Sequence, residues 1–274
     1  MQSVACNDGL TQRRTMACRA ACVPSGHCGF RPTPDGASHF FDFSRKDRQG
    51  RLDVEPEYRE VKVFMCNLYS HTRTQDAMRS LFADRNTVDR LGNLAPQEAI
   101  YPDQPAPIAR LDGDDMVLQL ARWGMPSPKQ FHSKSGIDRG VTNIRNTGSP
   151  HWRRWLKPEN RCLVPLTSFA EPAGKGKGNA WFDIADGRPA MFAGLWVSGW
   201  TSIRKLKDGE TKDDLYGFLT IEPNAEIATI HPKAMPVILT DPAEWETWLT
   251  ANWAEAKALQ RPLPDGSLVR DERE

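Results

Sequence analysis

The sequence contains no run of about 18 apolar residues, and its first 22 residues include no continuous apolar stretch. Neither a membrane-spanning segment nor a secretory signal is therefore predicted, and the reducing cytoplasm is the expected compartment. The chain also has no G-x-G-x-x-G fingerprint, no phosphate-binding loop and no internal repeat. Dinucleotide sites, P-loop sites and repeat architectures are therefore not predicted.

Cysteine is scarce in most of the chain. Four of the six cysteines precede residue 29 and two follow it: Cys6, Cys18, Cys22, Cys28, Cys66 and Cys162. This distribution is not that of a disulfide scaffold. A zinc site could be drawn from Cys18, Cys22, Cys28 and His27, but these residues lack the paired C-x2-C spacing that tetrahedral sites usually have. Unpaired thiols in a loose segment are the favoured interpretation, and we predict no metal and no cofactor.

The composition changes near residue 64. Residues 1–64 contain none of the nine tryptophans and show no apolar periodicity, so this stretch is predicted to be unstructured or a mis-assigned N-terminal extension. Residues 65–262 are predicted to form one packed domain, and residues 263–274 a polar C-terminal tail. Four apolar residues near the start of the domain have helical spacing and predict one amphipathic helix: Ala77, Met78, Leu81 and Phe82.

Beyond that helix the apolar residues favour strands with interspersed helices. Extended segments are predicted at MVLQLARW (116–123), RCLVPLTSF (161–169), AWFDIA followed by PAMFAGLWVSGW, LYGFLTIEP (215–223) and MPVILT (235–240). Asp186-Gly187 predicts a hairpin turn. Asn224 is predicted to cap a short helix in NAEIATIH, and DPAEWETWLTANW predicts another helix. This irregular order predicts an α+β domain and not a doubly wound fold.

The overall charge is balanced, with 36 basic and 35 acidic residues, but residues 121–178 carry a local charge of +8. Four aromatic residues are interleaved with these charges: Trp123, Trp152, Trp155 and Phe169. Cations for phosphates and flat rings for bases are what single-stranded nucleic acid requires. The alternative is a solvated basic face with tryptophans in the core, which is the favoured interpretation of this segment by itself.

Several short strings occur in order: MCNLYS at 65, NLAP at 93, RWGMPSP at 122, NIRNT at 143, RCLVPLTSFAEP at 161 and IHPKAMPVIL at 230. Together they resemble the SRAP family, the SOS response-associated peptidases or abasic-site processing proteins, over residues 65 to 262. The resemblance implies a single domain with curled β-sheets forming a barrel-like core, peripheral helices and a DNA-binding cleft. It also implies covalent capture of abasic sites in single-stranded DNA by a monomer, cytoplasmic or nucleoid-associated in a bacterium.

The family's nucleophile is a cysteine directly after the initiator methionine, and this pattern falls on Cys66 after Met65. A chain-terminal cysteine carries an amine and a thiol on adjacent carbons, so an aldehyde can condense with both to close a thiazolidine ring. An internal cysteine cannot do this because its nitrogen is part of an amide. We therefore expect either translation from Met65 or cleavage before Cys66, and self-cleavage fits the family's name as a peptidase.

The resemblance implies roles for further residues. Glu171, at the end of an apolar strand, would shuttle protons with a raised pKa, and His231 would assist near neutral pH. Asn143 would orient the substrate or the amine. Four residues are candidates for contact with DNA: Arg145, at a family position, and Trp123, Arg153 and Arg154, from the basic aromatic segment. Cys162, in an apolar strand, is predicted to lie in the core.

The sequence departs from the usual family pattern at three places that bear on DNA binding. FAEP (169–172) replaces an aromatic-rich F-x-E-W string, which removes one candidate stacking ring near Glu171. Leu68 stands where the arginine of M-C-G-R is usual, with Asn67 in place of the glycine, and Lys233 belongs to HPKAMP where H-x-R-M-P is commoner.

Two alternative functions stay open. One is a cysteine hydrolase that uses Cys66 with His231 and Glu171, and the other is a non-catalytic module that binds single-stranded DNA.

Overall fold

A computed structural model describes residues 67–174 and 176–271. The predictions for residues 1–64, for the zinc site in that segment and for Cys66 lie outside the described residues. The strands are β1 (Leu68–His71), β2 (Thr87–Asp89), β3 (Gln97–Ile100), β4 (Pro105–Asp112), β5 (Asp115–Trp123), β6 (Asn143–Ile144), β7 (Arg161–Leu166), β8 (Ser168–Pro172), β9 (Asn179–Ile184), β10 (Ala190–Ile203), β11 (Glu210–Ile221), β12 (Met235–Pro236), β13 (Ile238–Leu239) and β14 (Leu268–Asp271).

The helices are short and lie between the strands. The α-helices are α1 (Gln75–Ser80), α2 (Ala225–Ala228), α3 (Pro242–Thr250) and α4 (Trp253–Ala256), and 3-10 turns occupy Lys129–Phe131, Arg153–Trp155, Pro158–Asn160, Leu206–Asp208 and Lys257–Leu259. Within the described part of the chain, no helix has the length and apolar character needed to cross a membrane.

Five strands close into a barrel. The ladder runs β5-β4-β7-β10-β11, and β11 then pairs in parallel with β5 through Leu215↔Arg122 and Tyr216↔Trp123. The strands β2, β6, β12 and β13 extend this sheet. A second, five-stranded sheet has the order β14-β9-β8-β1-β3. The predicted α+β class with a barrel-like core is therefore confirmed.

The barrel strands are buried on both faces. Along β7, Cys162 and Val164 belong to a core cluster shared with Tyr69 and Phe169 of the second sheet, whereas Leu163 belongs to a cluster that includes Trp248 of α3. Successive side chains of a strand point to opposite faces, so β7 is covered by the second sheet on one side and by a helix on the other. This explains why its sequence is a continuous apolar run and does not alternate.

Cys162 lies at the closest approach of β7 and β10. It has no exposed surface, and an ideal Cβ on Gly194 would stand 2.6 Å from its Sγ. Any side chain at position 194 would therefore displace the thiol. Burial raises the pKa of the Cys162 thiol far above its ordinary value. The prediction that Cys162 is a core residue is confirmed.

Local capping explains where the helices begin. The Asn224 side chain accepts a hydrogen bond from the Ile227 amide at 3.2 Å, as predicted, and starts α2. Asp241 caps α3 in the same way, with Pro242 at the first helical position. The amphipathic helix predicted after residue 65 is shorter than its apolar spacing suggested, because α1 begins after Thr74 and ends at Ser80.

Two sequence predictions are corrected by the strand pairing. Asp186 and Gly187 form a turn, but β9 pairs with β8 and β14 while β10 pairs with β7, β11 and β13, so the turn carries the chain between two sheets and is not a hairpin. The predicted tail at 263–274 includes Leu268–Asp271, which pairs with β9 as an edge strand. The alternating apolar residues of so short a strand are too few to detect in the sequence.

His71, at the end of β1, is a buried histidine with 2% exposure, and neither ring nitrogen has a hydrogen-bond partner among the described residues. Burial, and secondarily the charge of Arg73, lower its pKa from 6.5 to about 4. The unfolded chain binds a proton here as the pH falls below its ordinary pKa, whereas the folded chain does not until about pH 4. The free energy of unfolding therefore decreases as the pH is lowered from 6.5, the ordinary pKa of histidine, toward about 4.

We expect His71 to account for about 2 kcal/mol of lost stability between pH 7 and pH 5. The variant His71→Gln cannot titrate, so its free energy of unfolding should fall by about that much less over the same interval. Urea denaturation at the two pH values measures both changes. Equal losses in the two proteins would show that His71 takes up its proton equally in the folded and unfolded states.

Candidate active site

Glu171 lies on the core face of β8, near the end of the strand. Alternation puts it on the same face as Phe169, which packs against Phe182 and Phe192, and the carboxylate has no exposed surface. Neither carboxylate oxygen has a well-aligned hydrogen-bond donor among the described residues. A buried carboxylate left in this state is an unusual arrangement and a feature of functional sites.

His231 stands directly beside this carboxylate. Its Nδ1 lies 3.1 Å from Glu171 Oε2 and 3.0 Å from the carbonyl oxygen of Ala234. Because a carbonyl oxygen can accept but not donate, Nδ1 carries a proton when it bonds to Ala234, which leaves Nε2 as the nitrogen that gains and loses a proton. The backbone amide of His231 donates to Ile227 at 2.7 Å, so the end of α2 fixes the position of the ring.

The two side chains shift each other's protonation. Burial is the main cause that raises the pKa of Glu171, against the opposing effect of His231. The contact with Glu171 is the main cause that raises the pKa of His231. Each shift favours retention of a proton by its own group, and the two groups in contact titrate as a coupled pair. Such a pair can both accept and deliver a proton.

The entry to β1 lies opposite Glu171. The antiparallel register of β1 and β8 pairs Leu68 with Ala170 and Tyr69 with Phe169. Extension of this register by one residue places Asn67 across from Glu171, and residues directly opposite in such a pair have Cβ atoms about 5 Å apart. Cys66 lies outside the described residues, but it is bonded to Asn67.

Asn143 approaches the same point from the other sheet. It begins β6, which pairs in parallel with β11 through Phe218↔Asn143. Its Nδ2 donates to Thr142 Oγ1 at 3.0 Å, and Thr142 Oγ1 donates to Asn67 Oδ1 at 3.3 Å. Thr142 and Asn67 were not among the predicted site residues, although Asn67 stands out in the sequence as a departure from the family's usual glycine.

Arg145 connects the Asn143 segment to the His231 segment. Its Nη1 donates to the carbonyl oxygen of Lys233, two residues after His231. The Gln260 side chain donates to the carbonyl oxygens of Arg145, at 2.8 Å, and Thr220, at 3.1 Å. Arg145 is exposed to solvent. It therefore has a positioning contact in addition to the DNA contact that the resemblance implies.

The four aromatic side chains interleaved with the basic residues lie in the core, which agrees with the favoured interpretation of this segment by itself. The exposed fraction is 1% for Trp123, 7% for Trp152, 3% for Trp155 and 0% for Phe169. The Trp123 ring packs at 5.2 Å against both Tyr69 and Phe218, and its Nε1 donates to the carbonyl oxygen of Thr142 at 3.3 Å. The assignment of Trp123 to DNA binding is therefore wrong. The buried Trp123 ring supports the site through its hydrogen bond to the Thr142 carbonyl oxygen. Apolar burial outweighed the neighbouring charges in placing these rings.

The basic residues of the segment 121–178 are divided between structural and exposed positions. Arg122 contacts Asp103 and Asp213, and Arg161 is fully buried near the Trp248 ring, where desolvation lowers its pKa to about 10. Eight others are exposed on the described surface: Lys129, Lys134, Arg139, Arg145, Arg153, Arg154, Lys157 and Lys177. Lys175 lies outside the described residues.

Arg153 and Arg154 differ, although they are adjacent and both exposed. The guanidinium of Arg154 lies 4.1 Å from the Trp155 ring centroid and 5.5 Å from that of Trp200. Such cation–π contacts stabilise the fold by about 0.5–1 kcal/mol at exposed sites. Neither residue contacts the Glu171–His231 pair in any interaction described here, so their predicted DNA contacts concern a surface apart from the chemistry.

Comparison with known proteins shows which family the chain belongs to. The sequence profile of the family described as SOS response associated peptidase (SRAP) matches residues 65–270. The chain belongs to the SRAP family. The match spans every element of the candidate site, from the residue before Cys66 to Gln260. None of the curated proteins matches the chain.

Solved structures share the SRAP fold of this chain. A Bacteroides thetaiotaomicron protein is 22% identical with a TM-score of 0.58, over 75% of this chain and 90% of its own. A Bordetella bronchiseptica protein is 23% identical with a TM-score of 0.55, over 76% and 100%. A phage-related protein from Bordetella bronchiseptica is 20% identical with a TM-score of 0.54, over 76% and 95%. At these identities the likeness concerns the fold alone.

Metal-binding geometry is not seen in the region of the chain that the structure describes. No group of three or more His, Cys, Asp or Glu side chains there could hold a metal ion.

Glu171 should reduce the stability of the fold at alkaline pH. Because its folded pKa is raised, the stability that comes with the neutral carboxyl is present at low pH and lost as the pH rises through that pKa. Glutamine has nearly the same shape and cannot ionise. We expect Glu171→Gln to melt at a higher temperature than the parent at pH 8 and at the same temperature at pH 4.

Scanning calorimetry at both pH values measures this difference. Glu159→Gln is the matched control, because the Glu159 side chain is 64% exposed and its substitution should leave both melting temperatures unchanged. A lower melting temperature of Glu171→Gln at pH 8 would show instead that the contact with His231 stabilises the fold.

Proposed function

We propose that this SRAP protein captures abasic sites in single-stranded DNA as a covalent thiazolidine with Cys66. Family membership associates the chain with the DNA damage response. The observation that carries the proposal is the buried Glu171–His231 pair, with 3.1 Å between Oε2 and Nδ1, at the strand position opposite Asn67. A proton-transfer pair thus lies next to the residue bonded to the cysteine.

The proposed chemistry needs an amine, a thiol and an aldehyde. The Cys66 amine attacks the aldehyde carbon of the ring-opened abasic sugar and gives a carbinolamine. Loss of water forms an imine, and addition of the Cys66 thiol to the imine carbon closes the five-membered ring. One water molecule is released overall, and no oxidant or reductant is needed.

Glu171 and His231 supply the proton transfers. The amine nitrogen must lose a proton after it attacks, and the departing hydroxyl must gain one to leave as water. A carboxyl and an imidazole in contact, each with a raised pKa, can do both, and positioned acid–base groups typically contribute about 10²- to 10⁴-fold to such steps. Asn143, held through Thr142, is placed to orient the amine or the sugar.

The strand of DNA is held by exposed cations instead of stacked tryptophans. Arg145 lies nearest the site through its contact with the Lys233 carbonyl, and Arg153 is available farther along the surface. A planar guanidinium can bind a phosphate through two donors. This compensates for Leu68, which stands where the family usually has an arginine.

The proposal requires a free amine on Cys66. In the full chain this amine forms a peptide bond with Met65, so residues 1–65 have to be absent or removed before capture. We propose that, when the full chain is made, the Cys66 thiol attacks the Met65 carbonyl carbon with assistance from the same pair. The peptide C–N bond breaks, which frees the Cys66 amine and leaves a thioester, and one water molecule hydrolyses the thioester so that residues 1–65 leave as a carboxylic acid. Intact mass and N-terminal sequencing of the expressed protein establish whether the chain begins at Cys66.

We expect Cys66→Ser to lose the durable adduct. Serine keeps the amine in a chain that starts at this residue, so a borohydride-reducible imine can still form, but the thiazolidine cannot. The measurement is denaturing electrophoresis after incubation with single-stranded DNA that carries one abasic site. An adduct from Cys66→Ser as durable as that of the parent would refute the proposal.

The same experiment separates the two alternatives. A cysteine hydrolase would cleave peptide or amide bonds and give no adduct that survives denaturation. A binding module would retain abasic and intact strands equally and would keep this activity in Cys66→Ala.

Arg153 and Arg154 should respond differently to substitution. If Arg153 contacts a phosphate, Arg153→Ala should reduce the slope of log affinity against log salt by about 0.7 and leave the melting temperature unchanged. Arg154→Ala removes the contacts with Trp155 and Trp200, so its melting temperature should fall by about 2 °C. Salt titrations and thermal melts measure both. An unchanged salt slope for Arg153→Ala would assign Arg153 to the solvated surface.

A further inference from the structure

Hydrogen bonds between side chains connect Asn143 to Asn67. Asn143 Nδ2 donates to Thr142 Oγ1 at 3.0 Å, and Thr142 Oγ1 donates to Asn67 Oδ1 at 3.3 Å. The second contact is long for a hydroxyl donor, as hydrogen bonds at catalytic sites often are before substrate binds. The three residues thus link the β6 segment to the residue bonded to Cys66.

Thr142 is a rigid anchor for this link. Its carbonyl oxygen accepts from Trp123 Nε1 at 3.3 Å and from the Phe218 amide at 3.2 Å. The adjacent Val141 exchanges two backbone hydrogen bonds with Met125, at 2.7 and 2.9 Å. At Gly217 an ideal Cβ would lie 2.9 Å from the Val141 oxygen, so glycine at this position lets the segment approach β11 closely.

Asn67 lies just beyond the end of a strand ladder, where an anchor restricts the motion of the chain. It precedes β1, where the ladder with β8 begins, so the described pairing starts one residue after it. Residues beyond the end of a ladder fray unless they are tied down. A hydrogen bond to the Asn67 side chain restricts rotation of this residue and thereby the direction in which the chain leads back to Cys66, across from Glu171.

We propose that Asn67 and Thr142 are positioning residues that hold the Cys66 amine against the Glu171–His231 pair during covalent capture. This inference rests on the proposed function. Neither side chain takes part in the chemistry itself. Their effect is on the orientation of the amine, and small losses of orientation reduce reaction rates strongly.

The test uses the full chain with a site-specific protease sequence in place of residues 60–65, cut after purification so that Cys66 becomes terminal. The rate of adduct formation is measured in single turnover at saturating abasic single-stranded DNA. Affinity for the intact strand and melting temperature are measured beside it. The variants are Asn67→Ala, Thr142→Val, their combination, and Thr142→Ser. The matched control is Thr201→Val, at an exposed position of β10.

We expect Asn67→Ala and Thr142→Val each to slow adduct formation by about 3- to 10-fold, the effect of one neutral hydrogen bond. The combination should be no slower than Thr142→Val, because Thr142→Val already breaks the contact with Asn67 as well as the contact with Asn143. Thr142→Ser keeps the hydroxyl and should restore the parental rate. Affinity for the intact strand and the melting temperature should stay at the parental values, as should every property of Thr201→Val.

Several results would overturn the inference. If the cut parent forms no adduct, the proposed function fails and the inference fails with it. If the parent reacts and Asn67→Ala reacts equally fast, the inference alone is wrong. It is also wrong if the two effects multiply, if Thr142→Ser is as slow as Thr142→Val, or if the loss appears in DNA affinity and not in rate. Should Thr142→Val unfold, the rate of folded Asn67→Ala decides the question.

Discussion

The antiparallel pairing of β1 with β8 is the constraint on which the candidate site depends. Three registered residue pairs, from Leu68↔Ala170 to Ser70↔Ser168, orient both strands so that the start of one faces the end of the other. Side chains alternate along a strand, so a slip of one residue would turn Glu171 away from the core and Asn67 away from Glu171. The buried aromatic contacts of Tyr69 and Phe169 make this register strongly preferred.

The site combines a rigid scaffold with groups that are unfavourable for folding. The closed ladder β5-β4-β7-β10-β11 removes the edges from five strands and fixes the ends of β5 and β11, next to Thr142 and Asn143. On this scaffold, Glu171 is buried without an aligned donor among the described residues. Proteins retain such destabilising groups where the chemistry requires them.

Much of this arrangement could be predicted from the sequence, where local rules apply. Asn224 precedes a short helix and caps it, and Cys162 in an apolar run is buried. Glu171 and His231 were predicted to act together, and the structure places them in contact, although their role stays a proposal. The rest depended on tertiary packing. Trp123 was predicted to bind DNA because charges surround it in the sequence, yet its ring is enclosed by aromatic residues from distant strands.

Sequence rules also failed where a turn or a side chain depends on which strands become neighbours. Asp186-Gly187 has the composition of a hairpin turn, but the pairings of β9 and β10 with other strands decide that it crosses between sheets. Thr142 belongs to no catalytic motif in the sequence. Its hydroxyl contacts Asn67 only because β6 lies along β11 and Asn67 enters from the second sheet.

The close packing of Cys162 against Gly194 also has a consequence for oxidation. From residue 66 to the end, the sequence contains two cysteines, Cys66 and Cys162. Oxidants and alkylating agents react with the thiolate, and Cys162 is both inaccessible and held in the thiol form by its raised pKa. In a chain that begins at Cys66, the reaction of peroxide with thiols would therefore be confined to Cys66, and oxidation of this thiol to a sulfenic acid would block capture until a cellular thiol reduced it.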